Sequence, residues 1–381
     1  MTEQPRTAEE LADTLARAAA QRQTIEVGGN FSKRSGAGPI APSDITVSTS
    51  QLNRVLAYEP RDLTISVEAG ITYAELSRAL APNRQMIPLD PPFSKQATIG
   101  GIVASNSSGP RRRLYGTARD LVIGMKFATL DGKLIQSGGM VVKNVAGLDM
   151  GKLMIGSWGT LAALASVNFK LLPMPAVERT MLLGMNSPAA AFEIRDKVIR
   201  SVLQPAAIDF LNVSAAAELG YKKALLALEF GGNEAVITRC RREMLQWGEP
   251  VEQTDEEAAE LWSSIHNFTP TFLAKSGKGV VVRISATLSE MREVVESLDV
   301  PLIARAGSGV VYAYFSLSTA AAKWMSANSR WTSVMEYAPP AEKEQLSLWP
   351  SPGKDIEIMK RVKDMFDPHN LLNRGRYYRQ F

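Results

Sequence analysis

Glycine, more than histidine or cysteine, marks where this 381-residue chain could do chemistry. Val27-Gly-Gly-Asn-Phe-Ser-Lys33 places adjacent glycines just before a hydroxyl and an ammonium. Amides without a Cβ in the way can close on a ligand. Successive amides beside Ser32 and Lys33 can form a nest for an anion. Taken alone, the same segment also suits a plain strand-to-loop turn. A second run, Ala97-Thr-Ile-Gly-Gly-Ile-Val-Ala-Ser-Asn-Ser-Ser-Gly-Pro110, carries no charged residue. Surface loops rarely have that composition. A bulky flat ligand could lie against it, with Thr98, Ser105 and Asn106 donating hydrogen bonds; the alternative is a small-residue turn between helices. The third segment is Arg111-Arg-Arg-Leu-Tyr-Gly-Thr-Ala-Arg-Asp120. Its arginines suit a phosphate or nucleic-acid patch, or a solvated loop, and the solvated loop is the expectation for Arg111 and Arg112. The fourth is Val142-Lys-Asn-Val-Ala-Gly-Leu-Asp149, followed by Ile155-Gly-Ser-Trp-Gly-Thr160.

Other chemistries fail on inventory. The chain has 1 cysteine, Cys240, so it cannot by itself hold a disulfide framework, a cysteine zinc site or an iron–sulfur cluster. Its 2 histidines, His266 and His369, cannot make a three-histidine metal centre. His266 reads as a helix-end residue, His369 as an exposed turn residue, and Cys240 as structural despite its basic neighbours. No Gly-x-Gly-x-x-Gly, P-loop, His-Glu-x-x-His or Gly-x-Ser-x-Gly motif occurs. Lys+Arg 43 against Asp+Glu 39 leaves +4, too little for a nucleic-acid binder, though mildly favourable to an anionic ligand. Neither a signal peptide nor an apolar run of membrane-spanning length is evident. A reducing, cytoplasmic setting is expected.

These segments must be held by secondary structure, and the pattern suggests which. Thr7 and Glu10 have capping-box spacing before a helix over Thr7–Gln21. Strands are expected at Thr24–Val27, Ile45–Ser48 and Leu63–Val67, with short helices at Leu52–Leu56 and Thr72–Leu80. Leu121–Thr129 and Lys133–Ser137 flank Asp131-Gly132, a hairpin signal. A boundary is expected near Pro173-Met-Pro175. Beyond it, strand-like runs (Ala224–Phe230, Val280–Ile284, Val310–Phe315) alternate with helical ones (Ala189–Val202, Asn233–Trp247, Asp255–Ile265, Leu288–Ser297). That texture predicts a second α+β domain with an antiparallel sheet. A last helix, Ile356–Met365, leads into Phe366-Asp-Pro-His-Asn-Leu-Leu-Asn-Arg-Gly-Arg376.

In this order the segments resemble the FAD-binding fold of the vanillyl-alcohol oxidase/para-cresol methylhydroxylase (PCMH) family. The ending Phe-Asp-Pro-x-x-x-Leu-Asn-x-Gly-Arg resembles the return strand of FAD-linked oxidases. The likeness spans Gln21–Leu172 and Lys363–Arg376. Gly109–Arg112 and Lys143–Asp149 look most like the smaller of the FAD-binding subunits found in glycolate oxidases. The resemblance implies an α+β fold: a two-lobed PCMH-type FAD-binding domain over 1–175 (lobes 1–55 and 56–175), an α+β cap domain over 176–355 and a C-terminal segment, 356–381, returning to the first domain.

It also implies a set of cofactor contacts. The pyrophosphate would meet Gly28, Gly29, Asn30, Phe31 and Ser32. Ribose, phosphate and flavin would lie along Pro88, Thr98, Gly100, Gly101, Ala104, Ser105 and Asn106. Tyr115, Gly116 and Asp120 match the family's Tyr-Gly and Arg-Asp elements, Gly159 and Thr160 its adenine-side turn, and Asn373 and Arg376 its closing tail. Trp158 stands where the family commonly has glutamate. No histidine suited to covalent flavin attachment lies near Gly28–Lys33, so FAD is expected to be held non-covalently. The histidine-rich metal motif of catalytic 2-hydroxy-acid dehydrogenases is also missing.

The implied role is an FAD-binding subunit of a glycolate (2-hydroxy-acid) oxidase complex. A catalytic FAD subunit and an iron–sulfur subunit would be its partners, and any membrane association would run through them. No catalytic residue is assigned and no metal is expected. A self-sufficient flavin oxidoreductase, binding an anion through Arg283 or Arg305 with a tyrosine as acid/base, is one alternative. A non-catalytic structural subunit is the other. Valine at Gly29 or at Gly101 is expected to block flavin without unfolding the chain.

Overall fold

The computed structural model describes residues 2–141 and 149–381. They form two compact units: Met1–Ser108 with Gly116–Met174 and Ser351–Phe381, and Pro175–Pro350 with Gly109–Tyr115.

The first unit starts from an amphipathic helix, Ala8–Ala20, whose Leu11, Leu15 and Ala18 recur at helical spacing and are buried. Thr7 caps it, accepting from the Glu10 amide at 3.0 Å, while the Glu10 carboxylate reaches back to the Arg6 amide at 2.7 Å. That apolar face packs on a small parallel sheet, Thr2–Glu3, Ile45–Ser48 and Ile25–Gly28 in that order, and on Leu371 and Leu372 from the far end of the chain.

A second core lies against a five-stranded antiparallel sheet ordered Val55–Glu59, Thr64–Glu68, Ala163–Lys170, Val122–Ala128, Leu134–Gly138. Ile65, Val67, Phe127, Val167 and Phe169 pack there with Ile99, Ile102 and Val103 of the helix Ile99–Ser105. Gly132, at φ +76°, turns the expected hairpin. The Thr72/Glu75 capping box closes in both directions before Tyr73–Leu80.

Two expectations are corrected. Leu52–Leu56 is not a helix. A 3-10 turn at Thr49–Gln51 leads into the edge strand Val55–Glu59. Its β-branched and aromatic residues suit a pleat, and pairing with Thr64–Glu68 decides the matter. The uncharged run after Ala97 is not a loop throughout. Thr98 caps a helix over Ile99–Ser105, and the left-handed Asn106 ends it.

The second unit is built on an eight-stranded antiparallel sheet. Alternate residues sort to opposite faces. Phe210, Leu226, Val282, Val311 and Met335 join an apolar core with residues of the helices Pro188–Arg200, Glu234–Met244, Met291–Glu296 and Ser318–Ala327. The register pairs Asp209 with Arg305 and Arg283 with Tyr312, giving the opposite face a polar row. Arg111 is not solvated as expected: it forks onto Glu229 at 2.8 and 2.7 Å and reaches Glu178 at 3.2 Å. Arg113 donates to the Pro205 carbonyl at 2.7 Å.

Candidate cofactor site

The strand Ile25–Gly28 delivers the first glycine loop to the rim of a cleft of about 720 Å³ in the first unit. Each glycine there has its own reason. A Cβ on Gly28 would lie 2.6 Å from the ring of Phe31, which sits at φ +53° and folds back over it. A Cβ on Gly29 would meet Thr98 Oγ1 at 2.2 Å, and one on Gly100 would meet Ala69 at 2.9 Å. These positions are glycine because protein packs against them. Gly101 differs: its single close neighbour would be Thr98 Oγ1 at 3.2 Å. Its missing side chain leaves room for something other than protein.

The far wall is the turn Trp158-Gly159, where both residues have positive φ. The Trp158 amide donates to the Ala104 carbonyl at 2.8 Å. Asn373 closes the site from the return segment. Its side-chain amide donates to Val27 and Trp158 carbonyls at 3.1 and 2.8 Å, and its Oδ1 accepts from the Val27 amide at 2.7 Å. One asparagine thus continues the ladder of the first strand and holds the turn opposite. Behind it, the buried Lys363 ammonium donates to the Thr160 carbonyl (2.8 Å), Asp367 (2.6 Å) and the Leu372 carbonyl (3.1 Å).

The lining is cationic. Buried Glu26 accepts a two-point contact from Arg34 at 2.9 and 2.8 Å. Arg376 lies 4.0 Å from the same carboxylate and donates to the carbonyls of Arg34 and Gly36 at 2.8 and 2.9 Å. Burial pushes the Arg376 guanidinium down to about 10, with Glu26 opposing and Arg34 adding to the shift. Two guanidiniums over one carboxylate, with Lys33 alongside, favour an anionic ligand.

Of the sequence-predicted contacts, Gly28, Gly29, Asn30, Phe31, Ser32, Thr98, Gly100, Gly101, Ala104, Ser105, Gly159, Asn373 and Arg376 line this one cleft. Pro88, Asn106, Tyr115, Gly116, Asp120 and Thr160 are not among its lining. Asp120 closes a capping box with Thr117, and Gly116 passes beside its carboxylate at φ +80°. Tyr115 belongs to the second unit. Thr160 is buried and spends its hydroxyl on the Ser157 carbonyl at 2.8 Å. Of Lys143–Asp149, only Asp149 lies within the described residues; it caps the helix Met150–Met154. Sequence reasoning left Val27, Lys33, Arg34, Thr49, Trp158 and Ala162–Leu164 out of the contact set. Lys33 stands in the anion nest read from the sequence though outside the contact set that the resemblance implies, and Arg34 continues that loop.

On the polar face of the second unit, three arginines meet carboxylates. Arg305 pairs with Asp209, Arg111 with Glu229 and Glu178, and Arg283 with Glu336 at 3.7 Å. Burial is the largest influence on Arg305 and opposes its charge, but Asp209, with Tyr312 and Tyr314, together hold the guanidinium above its ordinary value. His266 ends the helix Asp255–His266. Enclosure, then the Arg305 and Arg111 charges, push its imidazole down to about 3. Burial raises the Tyr314 phenol well above its ordinary value. No group of three or more His, Cys, Asp or Glu placed to hold a metal occurs among the described residues.

Residues 2–138 match the FAD binding domain family, and residues 342–377 match the C-terminal domain of FAD linked oxidases. Glycolate oxidase subunit GlcE of Escherichia coli (strain K12) is 30% identical over 268 residues, covering 70% of each chain. The chain belongs to the FAD-linked oxidase family. Glycolate oxidase subunit GlcD of Bacillus subtilis (strain 168) is 26% identical over 98% of this chain and 88% of its own. In fold, p-cresol methylhydroxylase with substrate bound superposes with a TM-score of 0.78 at 14% identity, over 98% of this chain and 88% of that one. The α+β, PCMH-type architecture is therefore established, and the cofactor of this FAD-linked oxidoreductase is FAD. The cleft suits it: a cationic lining for a pyrophosphate and an open face at Gly101. Among the described residues, no helix is long and apolar enough to cross a membrane.

Proposed function

We propose that the chain is the FAD-holding subunit of a glycolate-type (2-hydroxy-acid) oxidase complex, passing electrons to and from partner subunits. A catalytic FAD subunit and an iron–sulfur subunit are those partners, and the oxidation of substrate belongs to the catalytic one. The likeness to both GlcD and GlcE supports the assembly. Cys240 alone supports placing any cluster in a partner.

One observation carries the division of labour. The cleft of the first unit leaves cationic space for a cofactor, while Arg111, Arg283 and Arg305 on the polar face of the second are matched by its own carboxylates. Oxidising a 2-hydroxy acid needs the carboxylate fixed, the hydroxyl proton taken and a hydride removed from the α-carbon. Arg305 and Arg283 are already committed to carboxylates, and Tyr314 is held far from the acidity a proton carrier needs near neutrality. FAD supplies the two-electron acceptor when bound. In this chain, Gly28–Ser32, Thr98, Gly101, Asn373 and Arg376 hold it, with no covalent bond. Acid precipitation should leave the yellow colour in the supernatant; a yellow pellet defeats that point.

The test of the role is anaerobic stopped-flow. The FAD-loaded chain, alone and together with its partner subunits, is mixed with glycolate. Bleaching in the complex alone supports the reading. Rapid bleaching of the lone chain overturns it and favours a self-sufficient oxidoreductase.

A further inference from the structure

Trp158 is the least expected residue in the cleft. A bulky aromatic at φ +54° occupies a conformation that costs free energy and persists only where its surroundings over-determine it. The surroundings do so. Its amide is tied to Ala104 and its carbonyl to Asn373, each at 2.8 Å. Its indole edge fills the space beside Gly36, where a Cβ would sit 2.8 Å from Cη2. The Arg376 guanidinium lies 5.8 Å from the ring centroid. The ring is only half-buried, in the wall of a cleft. Such anchoring of a partly open indole points to a ligand with a flat ring.

FAD carries two flat rings, and position chooses between them. The same point beside Gly36 lies 3.1 Å from the Lys33 carbonyl, so the indole borders the Gly28–Lys33 phosphate loop. Adenine is one ribose away from the pyrophosphate; the isoalloxazine is a full ribityl chain away. The structure assigns Trp158 as the stacking platform for the adenine of FAD, and hence as a residue that selects FAD over FMN. This deepens the reading of the cleft as the FAD site and rests on it.

The test uses affinity and fluorescence, not turnover. Among the six tryptophans, Trp158 alone lies in the first unit. Trp158→Leu should weaken FAD binding roughly tenfold or more, the scale of losing one base–aromatic stack, and leave FMN binding within about twofold. Trp158→Phe, which keeps a flat ring, should retain most of the FAD affinity. ADP, which absorbs none of the tryptophan emission, should change the fluorescence of the wild-type chain and not that of Trp158→Leu. Unchanged FAD affinity in Trp158→Leu, or equal losses for FAD and FMN, overturns the assignment. If Trp158→Leu does not fold, Trp158→Phe decides: it lacks the indole, so an ADP-induced change as large as that of the wild type refutes the assignment, and its loss upholds it. Gly101→Val serves as the separate control. If it still binds FAD, the cleft itself has been misassigned; if it loses FAD while Trp158→Leu does not, only the stacking role falls.

Discussion

The two units use charge in opposite ways. In the first, Arg34 and Arg376 share the one carboxylate of Glu26 beside an open cleft, and glycines keep the walls close. In the second, a row of arginines crosses one sheet face, and Arg111, Arg283 and Arg305 each pair with carboxylates of that unit. The lesson is that ligand capacity follows charge left over, not charge present. A cluster of arginines is a poor sign of an anion site until its partners are counted.

The largest expected effect comes from unbalancing the self-satisfied row. Asp209→Asn removes the carboxylate partner of Arg305, and both side chains are buried. An uncompensated buried guanidinium should cost about 3–5 kcal/mol, read by urea unfolding, with FAD content of the remaining folded chain unchanged. A cost under about 1 kcal/mol would mean that the row is not internally balanced.

The glycines give the next contrast, and they revise the expectation that valine at either site spares the fold. Gly29→Val drives a branched side chain into Thr98 and should cost about 1–3 kcal/mol along with FAD. Gly101→Val should abolish FAD binding while the apo melting temperature stays close to wild type. Equal thermal losses in the two would remove the distinction between packing and ligand glycines.

A pH titration probes the second unit again. His266 has its pKa lowered from 6.5 to about 3. Folding therefore favours the neutral ring, and the unfolded chain binds the extra proton. That contribution is complete above about pH 6.5 and is lost as the pH falls toward 3, with a slope up to about 1.4 kcal/mol per pH unit. His266→Gln should flatten the stability profile in that window by this amount; parallel profiles would show that the imidazole is not enclosed. The smallest effect is expected from Thr98→Ala, about 1 kcal/mol for a lost helix cap, with weaker FAD binding as the cap loosens beneath Gly101.

Much of the first unit is legible in the sequence because its signals are local. Thr72 with Glu75, Asp131-Gly132 and the paired glycines each act within a few residues. The helix after Thr98 is hidden by its own composition, since Ile-Gly-Gly-Ile-Val lacks helix formers and is held by packing against the neighbouring sheet. The strands Val177–Met185, Ala207–Leu211, Leu302–Arg305 and Thr332–Tyr337 are not legible from the local pattern. Ala-Ile-Asp-Phe-Leu is buried throughout, and its aspartate marks no alternation until Arg305 is placed opposite. Within the site, Gly101 cannot be told from Gly100 by type; only the neighbour each would strike separates them. Trp158 stands out in sequence as a departure, but its anchoring depends on Asn373, which is far away along the chain.

That distance has a consequence for biosynthesis. Asn373 ties the carbonyl of Val27 to that of Trp158, a contact spanning 346 positions, and Lys363 fastens the same turn from behind. The second unit is, apart from Gly109–Tyr115, one continuous stretch from Pro175 to Pro350 lying between these contributions. As the chain emerges in order from a ribosome, that stretch can acquire its structure while the cleft still lacks a wall. Closing so wide a loop costs entropy that is recovered only once the return segment docks. Cofactor capture thereby waits for the return segment, so that a chain halted before Asn373 would hold a complete second unit and an unfinished cofactor site.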